Sequence, residues 1–444
     1  MILLPTSTRT LLLLLLTLVT FQSLTFITLT TFAKDLPYSL YYDLSEDSWS
    51  SIRALDAARL TFTNKYISHL SSSPSALNST KKTCPKIKNN YCIGIVATTS
   101  RLQHHYLKKT IASLSSLGGV DCVSNFFISL RKTIPSNGDV EILKNTGFKI
   151  HEFEDKGNKG GVNAGTKRSS EIWVNNENED YIRVLSKCQN TEADIIVVIE
   201  EDVWSTPEFL LKLDNAIQNL KGEEWSCLKL FVTDYWSGWE NDYKDFITLG
   251  FWGVLGAGGG EGFIVGLMWV KGKKWGGLCD WRKILLRIYL ITLTITSLII
   301  LGKQGTHLTS ISQAGVYPHP MGASSLGIAY PRGMVNDLIP FLRSGLNRKM
   351  SDKTGKGVKN IPIDLLLQEF HNTPSASKNR KQYIIVPSLL QHTGEFSSSS
   401  YKARGRGGMS EREYYQEYMK LAGGFEDLGV EELERLGEEF ENAN

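Results

Sequence analysis

What this sequence lacks closes off several classes of function. Its 49 lysines and arginines nearly balance 46 aspartates and glutamates, leaving a net charge of only +3. So small an excess gives no reason to expect nucleic-acid binding. None of the six cysteines, Cys84, Cys92, Cys122, Cys188, Cys227 and Cys279, forms a CxxC pair. A zinc ribbon and a thioredoxin-like redox centre are therefore not expected. The glycine-rich stretch Gly256-Ala257-Gly258-Gly259-Gly260-Glu261 matches neither GxGxxG nor GxxxxGKS/T, so it is not read as a phosphate loop. There is a single glycosylation acceptor triplet, Asn78-Ser79-Thr80, in a serine-rich loop.

Apolar residues are present in an uneven distribution. Leu11 to Ala33 carries no charge. At about 1.5 Å per residue such a run can cross a ~30 Å hydrocarbon layer. It is read as an uncleaved anchor, with a cleaved signal peptide as the alternative. Phe246–Val270 has Glu261 as its only charge, and Ile284–Leu301 has only Arg287, near one end where it could snorkel. Between them lie Lys271, Lys273, Lys274, Arg282 and Lys283 against Asp280 alone. Short basic loops stay cytosolic. The two runs are therefore expected to form a membrane hairpin with its tip, 271–283, in the cytosol and both feet in the lumen. Gly256/Gly260 and Gly262/Gly266 have the spacing at which membrane helices approach closely. The alternative is that Phe246–Val270 is a buried core segment of a soluble fold.

Between these runs the pattern alternates. Asp56–Leu70 is expected to be helical, Ile93–Thr99 and Val123–Leu130 strands, Leu102–Leu117 and Ser169–Ser186 helices, and Asp194–Ile199 a strand. Such alternation implies an α/β domain with a mostly parallel sheet flanked by helices. Cys84 and Cys92 are close enough in sequence to clip the start of the first core strand, with two free thiols as the alternative. The tail from Met409 has eleven acidic residues against three basic ones and is read as surface helix.

The segment with the most chemistry is Ile195-Ile196-Val197-Val198-Ile199-Glu200-Glu201-Asp202. An apolar strand runs directly into three carboxylates. Ligands of open α/β sheets bind beyond the carboxyl ends of strands. Adjacent carboxylates there call for a cation. Mg2+ and Mn2+ suit oxygen donors and are typically held by one or two carboxylates plus substrate phosphates. An exposed acidic turn is the plainer alternative. His392, in Pro387-Ser388-Leu389-Leu390-Gln391-His392-Thr393-Gly394, follows a strand candidate and could complete a metal site. Asp364, at the start of the apolar helix Ile361–Phe370, is either a helix cap or a general base, with Glu369 next in line.

These blocks carry a resemblance. Thr98-Thr99-Ser100-Arg101 with Tyr106–Leu114, Glu200-Glu201-Asp202, Asp364 and the Pro387–Gly394 block with the serines at 397–400 resemble the GT-A glycosyltransferases. The group that includes the N-acetylglucosaminyltransferase IV enzymes is the most similar. The resemblance implies a UDP-sugar donor and a divalent metal, Mn2+ or Mg2+. It implies Asp202 and His392 as metal ligands, Arg101, Glu200 and Glu201 on the nucleotide-sugar side, and Asp364 as the base of an inverting transfer. Where the family's metal motif has Asp in the middle, this chain has Glu201, so metal binding is expected mainly at Asp202. A GT-A domain interrupted by a membrane hairpin is similar to Golgi enzymes that add N-acetylgalactosamine to the GPI glycan. That implies GPI-anchored proteins as acceptors at a lumenal, membrane-level site. An N-glycan transferase and a non-catalytic membrane protein with a transferase-like fold are the other readings. The expected organisation is a cytosolic stub (1–10), an anchor (11–33), a stem (34–90), a nucleotide-sugar half (91–245), the hairpin (246–301), an acceptor half (302–400) and an acidic tail (401–444).

Overall fold

In chain order the strands are β1 (Tyr91–Thr98), β2 (Asn125–Lys132), β3 (Ile150–Glu154), β4 (Ile195–Glu200), β5 (Val203–Ser205), β6 (Trp225–Lys229), β7 (Gly315–Pro318), β8 (Gly327–Pro331), β9 (Lys349–Ser351), β10 (Val358–Asn360), β11 (Lys381–Val386) and β12 (Leu390–His392). The helices are α1 (Glu46–Ser72), α2 (Tyr106–Ala112), α3 (Lys167–Gln189), α4 (Phe209–Asn219), α5 (Arg332–Gly345), α6 (Ile363–Asn372), α7 (Pro374–Ser377) and α8 (Val430–Asn442). This is a computed structural model that describes residues 46–72, 84–98, 105–132, 142–154, 167–231, 314–318, 325–346, 348–351, 358–393 and 428–442. They belong to one unit formed by Leu44–Thr233 and Gln313–Asn444. The expected anchor (11–33) and hairpin (246–301) lie outside the described residues. Among the described residues no helix is long and apolar enough to cross a membrane.

Period-two alternation sends successive side chains to opposite faces of the sheet. Along β4, Ile195, Val197 and Ile199 enter one core, while Ile196 and Val198 enter the other. The first core is covered by α1, α2, α4 and α8, and the second by α3, α5 and α6. Burial on both faces explains why β4 is a continuous apolar run rather than an alternating one.

The eight strands of the sheet lie in the order β3-β2-β1-β4-β8-β6-β11-β7. All but β8 and β7 run in one direction, so the sheet is mostly parallel, as expected. From β1 the chain steps outward to β2 and β3, then returns to β4 on the other side of β1. That reversal is a topological switch point, and it puts a crevice at the carboxyl ends of β1 and β4.

Two expectations change. Cys84 does not pair with Cys92. The disulfides are Cys84–Cys122 and Cys92–Cys188, and Cys227 is a buried free thiol. The pleat decides this, because Cys92 faces the core under α3, where Cys188 ends the helix. Closing a loop with a sequence separation of 96 is worth about 4–5 kcal/mol in the chain-entropy model. Replacing Cys92 and Cys188 together by Ala is therefore expected to lower stability in urea unfolding by an amount of that order. A midpoint equal to the parent's would show that the bridge contributes nothing.

The helix expected in a stem is part of the core. Phe62, Tyr66 and Leu70 of α1 are buried. Tyr66 donates a hydrogen bond to Ser115 Oγ at 2.8 Å. Phe62 lies edge-on to both Trp204 and Phe440, with centroids 6.2 and 5.7 Å away. The acidic tail contributes α8, whose Leu433 is buried against α1 while Arg435 pairs with Glu432 and Glu439 on the exposed side.

Candidate active site

After β4 the chain makes a short turn through Glu201 and Asp202 and enters β5. That strand pairs antiparallel with β12: Ser205 faces Leu390, Trp204 faces Gln391, and Val203 faces His392. The Thr393 amide donates to the Asp202 carbonyl at 2.8 Å. Asp202 Oδ2 is thereby brought to 3.2 Å from His392 Nε2, across a sequence separation of 190. These two side chains are 1% and 9% exposed.

The turn is held from both sides. Thr110 Oγ of α2 lies 2.6 Å from the Glu201 carbonyl and 2.7 Å from that of Val203, and accepts the Val203 amide at 3.1 Å. Ser113 Oγ accepts the Ser205 amide at 3.1 Å. On the other side Gly327, the first residue of β8, leaves room for Leu390. Any Cβ there would collide with the end of the Leu390 side chain, which would have to move.

The three carboxylates do not converge. Among the described residues no three His, Cys, Asp or Glu side chains form a metal-ligating group. Glu200 continues the Ile196–Val198 face of β4, toward α6. There Ser325 Oγ contacts Glu200 Oε1 and lies 2.5 Å from Asp364 Oδ1. A serine hydroxyl has one proton and can donate to only one of them. Both contacts are satisfied at once when one of the two carboxyl groups carries a proton. Asp364 is the group suited to carry it, because burial pushes its carboxyl above the usual range, against the opposing pull of the Ser325 hydrogen bond and the Lys229 charge. Glu201 is also buried, and its carbonyl is the acceptor for Thr110.

This revises the sequence reading of Asp364. A carboxyl group in the first turn of a helix is favoured in its charged form by the helix dipole, but here desolvation dominates. Nor does it cap α6: the cap position is Pro362, and no side-chain cap bond forms. Glu369, the next candidate base, lies away from this pair and is partly exposed, where it binds Arg348 at 2.5 Å. Arg101 lies outside the described residues.

Three residues that the sequence reading missed complete the surroundings. Lys229 ends β6 and is only 4% exposed. A lone lysine inside the apolar run Cys227-Leu228-Lys229-Leu230-Phe231 was the available signal. Ser325 gave none, because its role depends on β8 passing between β4 and β6. Arg59 is buried on α1, on the stripe that also holds Phe62, Thr63 and Tyr66. Behind Asp364, Tyr330 stacks on His371 with centroids 6.1 Å apart and shares a 2.9 Å hydrogen bond with Tyr181. Burial pushes His371 down to about 3, so it is neutral.

The donor set suits a hard or borderline divalent ion. Asp202 supplies a carboxylate oxygen and His392 an imidazole nitrogen, side by side. The carboxylate is the donor type that holds Mg2+ or Mn2+ beside a nucleotide, whereas an imidazole is unusual for Mg2+, so the pair fits Mn2+ better of the two.

No family model matches this chain, and no curated protein matches it. Among solved structures, glucosyl-3-phosphoglycerate synthase from Mycobacterium tuberculosis, in complex with Mg2+ and uridine diphosphate, is similar at 16% identity over 35% of this chain, with a TM-score of 0.19. A mannosyltransferase from Pyrobaculum calidifontis, in complex with GDP-mannose and Mn2+, is similar at 10% identity over 40% of this chain, with a TM-score of 0.18. The chain spans 47% of the length of each. At these scores neither likeness bears on the activity of this chain.

Proposed function

We propose that this chain is a metal-dependent, inverting glycosyltransferase that takes its sugar from a UDP-sugar. One observation carries the reading: Asp202 and His392 meet at the carboxyl end of β4, beside a switch point, with the half-buried carboxyl pair Glu200 and Asp364 on the other face of that strand end. Mn2+ or Mg2+, held by Asp202 and His392, would neutralise the diphosphate as it leaves. The resemblance implies Glu201 and Arg101 as the residues that meet the nucleotide-sugar.

The other carboxyl cluster handles the proton. As the acceptor hydroxyl oxygen bonds to the anomeric carbon, the sugar–phosphate bond breaks and the hydroxyl proton passes to Asp364. Ionised Asp364 receives the Ser325 hydrogen bond and the nearby Lys229 charge, both of which favour its anionic form. Once protonated, it can donate to the Ser325 hydroxyl, which in turn donates to Glu200. Glu200 therefore serves the proton side rather than the metal.

The finer reading rests on the resemblance. The donor sugar is N-acetylgalactosamine and the acceptor is the first mannose of a GPI glycan in the Golgi lumen, as in post-GPI-attachment-to-proteins factor 4. The anchor at 11–33 and the hairpin at 246–301 would keep the site at membrane level, where a lipid-anchored acceptor lies. GPI glycans from cells lacking the protein are expected to lose their N-acetylgalactosamine branch. Unchanged glycans would refute the acceptor, while failure of the purified protein to bind UDP with Mn2+ would refute the transferase itself.

A further inference from the structure

We infer that Arg59 of α1 is a positioning residue for the Asp202–His392 pair, and that α1 is therefore a working part of the site. This rests on the metal reading above. The Arg59 guanidinium donates from Nη2 to Gln391 Oε1 and lies 5.0 Å from the Trp204 ring centroid. Gln391 and Trp204 face each other across the β5–β12 ladder. That rung is one residue before His392 on β12 and two after Asp202 on β5. One planar cation thus grips both strands next to the two donors.

The ladder needs such a brace. With three residues on each strand it has few bonds of its own; Thr110 and Ser113 hold β5, and Arg59 ties that strand to β12 through side chains. The metal pair depends on its register, since a slip of one residue would turn His392 to the opposite face. Arg59 is 1% exposed, so its contacts are desolvated and strong. Its fork also constrains direction in a way a lysine cannot reproduce. A second link on the same helix is consistent with this role: Lys109 of α2, the helix that holds the turn, forms an ion pair with Asp56 at 2.8 Å.

Outer contacts that orient metal ligands typically change metal affinity about 10–100-fold when removed. In the full chain, Arg59→Lys is expected to raise the Mn2+ dissociation constant, measured in the presence of UDP, by about that factor. Tyr66→Phe is the control. It removes a buried hydrogen bond from the same helix, to Ser115, without touching the β5–β12 ladder. It is expected to lower Tm comparably and to leave Mn2+ affinity at the parent value. If Arg59→Lys binds Mn2+ as tightly as the parent, or if Tyr66→Phe weakens binding equally, Arg59 is only structural and the proposal fails. If the parent binds Mn2+ and Asp202→Asn does not, the metal reading survives that failure. If the parent binds no Mn2+ at all, both are overturned.

Discussion

Asp202→Asn is expected to lower transfer by about 1,000-fold or more at saturating Mn2+, with the fold intact. The substitution keeps the size and shape of a buried side chain. An asparagine can still meet His392 Nε2 through either its oxygen or its amide, so the contact that joins the β4–β5 turn to β12 persists. What disappears is the only carboxylate beside His392 in this pair. A metal at a leaving diphosphate contributes several kcal/mol of transition-state charge stabilisation. A loss of about 4 kcal/mol is roughly a 1,000-fold change in rate. The variant should also lose the Mn2+ dependence of UDP binding while its thermal unfolding stays near that of the parent. Substantial turnover at saturating Mn2+ would remove Asp202 from the metal site and with it the central element of the mechanism.

Asp364→Asn is expected to separate catalysis from stability. As a base Asp364 should contribute about 10²–10⁴-fold, so kcat falls by that factor while UDP-sugar affinity stays near normal. The parent's pH profile should carry the signature of a buried carboxyl group. Activity needs the ionised form, and burial raises the folded pKa, so the acid limb should lie above the range of an ordinary aspartate. The stability effect has the opposite sense. A group whose folded pKa is raised stabilises the fold only while protonated, and that contribution is lost as pH rises from the unfolded value through the folded one. Above the unfolded value the Asp364 carboxyl therefore opposes folding. The substituted asparagine retains an oxygen for the Ser325 hydroxyl and avoids that cost. The variant should be as stable as the parent or more so at pH 7, with any gain vanishing below about pH 4. Weakened UDP-sugar binding with normal turnover would make Asp364 a donor-site residue instead. An acid limb in the ordinary carboxylate range would show that burial does not set its ionisation.

Much of the sheet was legible in the chain. The Ile195–Ile199 and Ile93–Ala97 runs carry no polar side chain because both faces of their strands are covered, and that pattern survives without any knowledge of the partners. The helices around Ser169–Ser186 and Ile361–Phe370 also matched their periodicity. β5 and β12 were not legible, since three-residue strands contain too few positions for a period to show. Nor was the role of α1, whose buried stripe reads the same whether it packs on a stem partner or on the sheet.

The sequence by itself determined the chemical types: a carboxylate run at a strand end, a histidine after a strand, and an aspartate at a helix start. It also carried the alternation that makes the sheet mostly parallel. Which of these groups meet was decided only by the tertiary structure. Asp202 found His392 rather than its own neighbours, because the pleat turns Glu200 to one face and the β5–β12 ladder draws Asp202 elsewhere. Asp364 found Ser325 and Glu200, and its burial overrode the helix dipole that local sequence would suggest. Local sequence carries backbone preference and side-chain chemistry. Proximity across a sequence separation of 190, and the loss of solvent that sets a carboxyl group's ionisation, exist only once the chain has packed.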